Sequence, residues 1–173
     1  MFLSSTQRYF ERVILIVIQF FLLATFIRFF VLSPALVNGQ SMENTLFDNN
    51  FILVNKMIYI VHAPERFDVV QAISPNSPDV LLVKRIIGLP GESIIFRERK
   101  VFIRNQLGDE YELLEPYLPE GEETIFKEGQ AREFLIPEDH YFIMGDNRNF
   151  STDSRKFGPI HRRLVNGLVL KIE

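Results

Sequence analysis

The sequence predicts a mainly β domain that follows a single N-terminal transmembrane helix. Residues 13–27, VILIVIQFFLLATFI, carry no charge, and the apolar stretch continues to residue 32 with Arg28 as its one charge. From residue 36 onward the apolar runs are short, rich in Val, Ile, Phe and Tyr, and bounded by Pro, Gly, Asn or Asp, which is typical of strands and turns. No later segment shows a convincing 3.6-residue apolar stripe, so we expect this part to be mostly β.

Composition limits the function classes. The 173 residues suffice for one domain with an appendage, and 47% apolar residues argue for a packed core rather than global disorder. The absence of cysteine excludes a disulfide framework, thiol catalysis and Cys-ligated zinc. A formal net charge of −3 gives no signal for nucleic acid, and we expect no nucleic-acid partner.

The apolar stretch 13–32 has the length of a membrane anchor. At 1.5 Å per residue its 20 residues span roughly 30 Å, the thickness of a bilayer core. It is apolar on all sides rather than striped, which favours lipid over a protein core. Two alternatives are a cleaved signal peptide, whose apolar part is usually shorter and ends at an A-x-A site, and a buried core helix. We expect an uncleaved anchor.

Charges next to the anchor predict its orientation. Arg8 and Arg12 precede the span, whereas the next basic residue beyond its end is Lys56. The positive-inside rule then places residues 1–12 in the cytoplasm and residues 36–173 outside, as a single-pass protein of the cell membrane.

Several segments of the exterior part have strand character. We predict strands at 50–61, 66–73, 79–88, 92–105 and 139–146, and a final strand or hairpin at 163–173. Residues 106–133 differ, because they hold nine acidic residues against two basic ones, with Gly and Pro scattered through them. We expect this variable acidic segment to be a solvated excursion or a small, weakly ordered subdomain.

Three short stretches contain candidate chemical groups. In LLVKRIIG (81–88), Lys84 and Arg85 point to opposite faces of a strand, so at least one cation is expected beside apolar surface, where a lysine pKa falls. The alternative is an edge strand with both cations reaching solvent. In VNGQSMENTL (37–46), Ser41 is either a turn residue or a nucleophile held near a membrane.

The third stretch, GDNRNFSTDSR (145–155), has the composition of a hydrogen-bonded loop. It lacks the sixth-position Gly and twelfth-position Glu of a calcium loop. Its simplest interpretation is an ordinary turn followed by an ion pair between Asp153 and Arg155.

Histidine and metal chemistry are disfavoured. His62, His140 and His161 are present, but no serine lies in a G-x-S-x-G elbow. There is no H-E-x-x-H motif, so we expect no metal and no other cofactor.

Taken in series, these motifs resemble type I signal peptidases, most closely the compact, single-span Gram-positive form. The apolar span is followed by GQSMENTL, RFDVVQA, VKRIIGLPGE, and GDNRNFSTDSR with FGPI behind it, and the resemblance covers residues 10–170. It implies a signal-peptidase-like β-sheet catalytic domain and a serine endopeptidase that removes signal peptides from exported preproteins.

The resemblance also implies roles for residues. Ser41 matches the nucleophile, and Lys84 matches the general base of a Ser–Lys dyad that works without histidine. Ser151 matches a serine that orients the lysine. The pairs expected to support the site are Arg85 with Asp146 and Asp153 with Arg155.

The expected substrate contacts lie on either side of the dyad. The oxyanion hole would use the Ser41 backbone N–H, and Gly39 stands where some members of the family have a second, hydroxyl donor. An extended peptide would add between residues 37–41 and 81–83, and shallow apolar pockets would select Ala-x-Ala. The residues expected to bind it are Val37, Met42, Leu82 and Val83, with Met42 at a membrane-facing rim.

Two departures from the family pattern keep alternatives open. Asn44 stands where SMxPTL has proline, and Phe67 stands where RGD has glycine, which hints at a specialised paralogue. The expected partners are preproteins with signal peptides and the lipid bilayer. An alternative function is an assembly factor that acts mainly by binding pilus or secretion components. A self-cleaving repressor is disfavoured, because it would be soluble and carry a DNA-binding module.

Overall fold

A long N-terminal helix precedes the β domain. The computed structural model describes residues 5–124 and 131–171, and its first element is the helix α1, Ser5–Phe26. Within α1, the segment Tyr9–Phe26 is long and apolar enough to cross a membrane by length and composition, and none of it is buried by protein. A π-helical turn, Ile27–Val31, joins α1 to the first strand, so the helix ends before the predicted limit of residue 32.

Two antiparallel sheets form the rest of the described chain, which confirms the mainly β prediction. The elements after the π-turn are β1 (Leu32–Leu36), β2 (Phe51–Asn55), α2 (Ile58–Val61), β3 (Val69–Ser74), β4 (Ser77–Gly88), β5 (Ser93–Arg97), β6 (Lys100–Arg104), β7 (Glu110–Glu112), β8 (Glu133–Leu135), β9 (His140–Met144), α3 (Ser154–Phe157), β10 (Ile160–His161), a 3₁₀ turn (Arg162–Leu164) and β11 (Val165–Lys171). The larger sheet has the order β1-β2-β11-β3-β4-β9-β10, and the smaller one has the order β7-β6-β5-β8.

Three apolar clusters bury the inner faces. The first joins the two sheets and contains Ile87, Ile94, Phe96, Ile136 and Phe142 among others. The second lies beneath the connection between β1 and β2, and the third packs against β3, β4 and β9. Because β4 runs through the middle of the larger sheet, the residues near its C-terminal end are buried.

Several predicted strand limits were wrong for local reasons. The strand predicted at 50–61 ends at Asn55, since the Asn55 side-chain oxygen accepts hydrogen bonds from the backbone N–H groups of Met57 and Ile58 and so starts the short helix α2. The strand predicted at 92–105 is a hairpin of β5 and β6, which turns at Glu98 and Arg99 with φ of 53° and 62°. β1 was missed because it lies at the end of the apolar stretch.

The acidic segment 106–133 is partly structured where it is described. β7 extends the smaller sheet beside β6, and Leu113 and Thr124 are buried. Residues 125–130 of this segment lie outside the described residues, as do the last two residues of the predicted final strand.

Gly167 provides a test of the larger sheet. A Cβ atom at this position would stand 2.5 Å from the backbone oxygen of Asn55 on the neighbouring strand β2. We expect Gly167→Ala to lower the free energy of unfolding by about 1–3 kcal/mol, because backbone must shift to admit the methyl group. Denaturant unfolding in detergent measures it. The control Ser77→Ala, at the exposed start of β4, should change the free energy by less than about 0.5 kcal/mol. An unaltered Gly167→Ala protein would show that β2 and β11 are not packed as closely as described.

Candidate active site

Ser41 lies on the long connection between β1 and β2. The backbone there forms a helical turn, in which the N–H groups of Thr45 and Leu46 donate to the Met42 carbonyl at 3.0 and 2.8 Å. Met42 and Leu46 point down into the second apolar cluster and anchor the turn. Met42 is only 1% exposed, so the expectation of a rim position was wrong: its side chain forms part of the floor beneath Ser41.

Lys84 approaches Ser41 from β4. Its Nζ atom lies 2.6 Å from Ser41 Oγ and donates to the Val83 carbonyl at 2.9 Å. Lys84 is 3% exposed, and β4 is flanked by β3 and β9, so the alternative of an edge strand with solvated cations was wrong. Burial lowers the Lys84 pKa to about 8, against the opposing attraction of Asp153 and Asp146 and with some help from Arg155. A substantial fraction of this amine is therefore neutral near physiological pH.

Arg85 and Asp146 form a buried two-pronged ion pair. Arg85 Nε donates to Asp146 Oδ1 at 2.9 Å, and Arg85 Nη2 donates to Asp146 Oδ2 at 2.6 Å. Thr45 joins this pair, since its hydroxyl donates to Asp146 Oδ2 at 2.5 Å and accepts from Arg85 Nη2 at 3.1 Å. Thr45 thus ties the turn that carries Ser41 to the strand that carries Lys84. It lies in the quoted motif GQSMENTL, but sequence reasoning gave it no role.

The loop 145–155 closes the other side of the site. Asp153 accepts two hydrogen bonds from the Arg155 guanidinium, at 2.9 and 2.8 Å, and one from the Gly145 N–H at 3.0 Å. Burial opposes ionisation of Asp153, but these bonds keep its pKa below the usual range. The Asn147 N–H donates to the Ser41 carbonyl at 3.1 Å, which fixes the loop against the turn that carries Ser41.

Ser151 is buried in the same loop, but it is not joined to Lys84. Among the described residues, Ser151 Oγ has no partner with good hydrogen-bond geometry, although it lies close enough to the Asp153 carboxylate to help lower the pKa of that group. Its neighbour is Gly145, where an added Cβ would stand 2.4 Å from both Ser151 Oγ and the Ser41 carbonyl oxygen. Gly145 therefore allows the loop to approach Ser41, and the orienting role of Ser151 stays a prediction.

The positions that depart from the family pattern share an unusual backbone conformation. Asn44 and Phe67 have φ of 84° and 74°, a region that proline cannot reach and that glycine enters without strain. Asn is tolerated there, whereas Phe67 is held by other contacts: its carbonyl accepts from Arg85 Nη1 at 2.9 Å, and its ring packs on Tyr117 at 5.5 Å. Gly39, at φ +98°, donates its N–H to Asp48 at 2.8 Å, so this amide is engaged in the turn.

The acidic segment contributes a buried clamp that sequence reasoning missed. Arg148, in the loop 145–155, is 2% exposed and pairs with both carboxylate oxygens of Glu115. It also donates to the Thr124 hydroxyl at 2.5 Å and to the Gly145 carbonyl at 3.2 Å. Tyr117, from the same segment, stacks over the Arg85 guanidinium with 4.0 Å between the carbon Cζ and the ring centroid. In the sequence, the clamp was indicated only by the presence of Arg148 in the polar stretch GDNRNFSTDSR.

A cleft of about 330 Å³ opens beside Ser41 and Lys84. Its lining includes the four residues predicted to bind substrate, Val37, Met42, Leu82 and Val83. Sequence reasoning did not anticipate Ala35, Ile52 and Gln71, which also line it. Its walls are β1 and β4, so an extended peptide could lie between them.

Comparison with known proteins identifies the class. A family model described as "Signal peptidase, peptidase S26" matches residues 10–172. The chain is a serine peptidase. It belongs to the signal peptidase family, which confirms the predicted resemblance, and signal-peptide-bearing preproteins are its substrates.

Two relatives compared by sequence agree with this assignment. Signal peptidase I of Bacillus licheniformis is 36% identical over 151 residues, which cover 84% of this chain and 78% of that protein. Signal peptidase I V of Bacillus subtilis (strain 168) is 32% identical over 146 residues, which cover 79% and 83%. A crystal structure of a signal peptidase I from Enterococcus faecalis V583 is 29% identical, with a TM-score of 0.49 over 64% of this chain and 99% of that one.

The clamp between Glu115 and Arg148 should be important for stability. We expect Glu115→Gln to lower the free energy of unfolding by about 3 kcal/mol, because it leaves a buried guanidinium without its counter-charge. The control Glu123→Gln removes the exposed partner of Arg99 and should cost less than about 1 kcal/mol. Equal losses in the two variants, measured by denaturant unfolding in detergent, would show that burial of the Arg148 pair is unimportant.

The pKa of Lys84 should be visible in the pH dependence of stability. Between pH 8 and 10.5 the unfolded chain holds a proton on Lys84 that the folded chain has released, so the stability of the folded protein rises with pH in this window. Below pH 8 the whole penalty, about 3 kcal/mol, acts against folding. Lys84→Met removes it.

We therefore expect Lys84→Met to be more stable than the wild type at pH 7, and the difference to shrink steadily towards pH 10.5. Unfolding midpoints of the two proteins, measured at matched pH values, test this. A difference that stays constant across the window would contradict a lowered Lys84 pKa.

Proposed function

We propose that the protein is a membrane-anchored endopeptidase that cleaves signal peptides after small residues by a Ser41–Lys84 dyad. The observation that carries this proposal is the 2.6 Å contact between Ser41 Oγ and the buried Lys84 Nζ. A neutral amine at this distance can take the hydroxyl proton, and burial lowers the pKa of Lys84 to about 8, so that the neutral form is populated near that pH.

The reaction follows from this geometry. As Ser41 Oγ attacks the carbonyl carbon of the scissile bond, its proton passes to Lys84 Nζ, and the Ser41 backbone N–H donates to the developing oxyanion. Lys84 then returns the proton to the leaving amine, and an ester to Ser41 remains. The leaving amine is the new N-terminus of the mature protein. Water, deprotonated by the same amine of Lys84, then attacks the ester carbonyl, and Lys84 returns this proton to Ser41 Oγ as the ester bond breaks, which releases the signal peptide with a free carboxylate.

The surrounding ion pairs position the dyad without reacting. Thr45 joins Asp146 and Arg85 to the nucleophile turn, and the Asp153–Arg155 pair holds the loop that packs on Ser41. Two internally neutralised pairs leave Lys84 without a nearby uncompensated carboxylate, which would otherwise favour the ammonium form. Ser151 is proposed to orient the lysine once a substrate occupies the site.

The cleft suits strand addition of a peptide. Residues 37–41 and 81–83 form its two sides, and apolar side chains line it between them. A cleft of this size, floored by buried Val37 and Met42, favours small side chains at alternate substrate positions. This supports an Ala-x-Ala type of preference.

The anchor and its orientation are part of the proposal. The strand β1, which forms one wall of the cleft, starts directly after the turn that ends α1. Leu36 at the end of β1, Phe51 at the start of β2 and Phe47 in the connection between them present exposed apolar side chains. With α1 in the bilayer and residues 1–12 in the cytoplasm, the cleft would open at the extracytoplasmic surface of the cell membrane, where a translocated signal peptide ends.

The dyad is tested by cleavage of a preprotein. Full-length protein in detergent should cleave a preprotein carrying a signal peptide, and both Ser41→Ala and Lys84→Ala should lower the turnover by at least about 1,000-fold, because each removes a reacting group. The matched controls are Ser77→Ala and Lys156→Ala, which change an exposed serine and an exposed lysine.

The pH dependence supplies a second readout. The wild-type kcat/KM should rise with pH through about 8, since the amine must lose its proton to act as a base. Wild-type turnover by either dyad variant would refute the mechanism. An inert wild-type protein that still binds a surface-assembly component would favour the alternative of an assembly factor.

A further inference from the structure

We propose that Gln71 makes the cleft selective for a hydroxyl side chain, Ser or Thr, three residues before the scissile bond. This inference rests on the proposed function of the same cleft and names a subset of its substrates.

Gln71 is a buried carboxamide in the lining of an otherwise apolar cleft. It is 6% exposed and lies on β3 directly opposite Val83 of β4. The other polar residues that line the cleft are Ser41 and Lys84, which react in the proposed mechanism, and Asn38, which is exposed. Gln71 is therefore a buried polar lining residue to which the mechanism assigns no role. Binding of apolar substrate side chains alone does not require a buried carboxamide at this position.

One end of the carboxamide is fixed from behind. Asn166 lies at an irregularity of β11 between Val165 and Gly167, and its amide nitrogen donates to Gln71 Oε1 at 2.5 Å. Within residues 5–124 and 131–171, Gln71 Nε2 donates no hydrogen bond. Gln71 Nε2 is not among the fully buried polar atoms that lack a partner. Because Gln71 lines the cleft, a group bound there can accept a hydrogen bond from this nitrogen.

Register identifies the substrate position that Gln71 meets. The carbonyl that Ser41 attacks belongs to the residue just before the scissile bond, so that residue's side chain lies beside Ser41 and Lys84. In an extended peptide the side chains alternate, and the next one on the same face belongs to the third residue before the bond, roughly 7 Å away. Gln71 lies opposite Val83, the residue before Lys84, and both line the cleft. The earlier part of the peptide would pair with the edge of 81–83 that faces away from β3, because β9 is paired with β4 only from Arg85 onward.

The chemistry of the carboxamide selects a hydroxyl. A Ser or Thr hydroxyl both donates and accepts, so it can pair with either atom of an amide side chain. Both side chains are small enough for a cleft that favours small residues. An alanine at this position would leave the buried amide without a partner, and an ionised side chain would lose its hydration without a counter-charge.

Two pairs of peptides test the inference. They should be identical signal-peptide substrates that differ only at the third residue before the bond, with Ser against Ala and Thr against its isostere Val. We expect the wild-type full-length protein to show a kcat/KM about five-fold higher for each hydroxyl peptide, the effect of one hydrogen bond between neutral groups.

Variants assign the preference to Gln71. In Gln71→Met, which keeps length but removes the amide, both ratios should fall to about one or below. Gln106→Met changes an exposed glutamine outside the cleft and should keep the wild-type ratios. Asn166→Ala frees the back of the carboxamide and should give ratios between those of the wild type and Gln71→Met.

The outcomes separate this inference from the proposed function. Equal rates for both members of each pair in the wild type, or ratios unchanged in Gln71→Met, would overturn the role of Gln71 while leaving the dyad intact. Cleavage of all four peptides by Ser41→Ala, or of none by the wild type, would overturn both. The wild-type ratios need no variant, so the inference remains falsifiable if Gln71→Met does not fold.

Discussion

The burial of one amine constrains most of this site. Lys84 can hold a neutral side chain near pH 8 only because β4 lies inside the larger sheet and water is excluded from it. A buried amine of this kind is costly to the fold, and it becomes useful only when a hydroxyl lies within hydrogen-bond distance. The turn that carries Ser41, the loop 145–155 and the acidic segment each contribute to keeping Ser41 in that position.

The charged groups around Lys84 are arranged in closed pairs. Arg85 is matched by Asp146, Arg155 by Asp153, and Arg148 by Glu115, and each of these pairs is largely buried. Unpaired carboxylates at these positions would stabilise the ammonium form of Lys84, and unpaired guanidinium groups would destabilise the fold. Two of the pairs, Arg85–Asp146 and Arg148–Glu115, connect segments that are distant in the chain. The third lies within the loop 145–155, where Asp153 also accepts from the Gly145 N–H.

Most of the fold class, and the proximity of Ser41 and Lys84, could be predicted from the sequence. Ser41 and Lys84 lie in motifs whose order along the chain is diagnostic, and the short β-branched runs marked the strands. The limits of strands were less predictable, because Asn55 ends β2 through a side-chain hydrogen bond and Glu98 and Arg99 turn a hairpin without glycine.

The contacts of Thr45, Arg148 and Gln71 could not be predicted in the same way. Each joins residues distant in the chain, so their partners appear only once the strands are paired. The burial of Met42 could likewise not be predicted from the sequence, since it depends on how the turn folds back over the second apolar cluster. Local patterns carry information about periodicity, whereas these features depend on tertiary packing.

The direct passage from α1 into β1 has a mechanical consequence. If α1 spans the bilayer as proposed, only a five-residue π-turn separates the membrane segment from the wall of the cleft, and no flexible tether can absorb a mismatch. The hydrophobic thickness of the host membrane would then set the height of Ser41 above the lipid. Bilayer thickness would in this way determine which peptide bond of an embedded signal peptide lies at the height of Ser41.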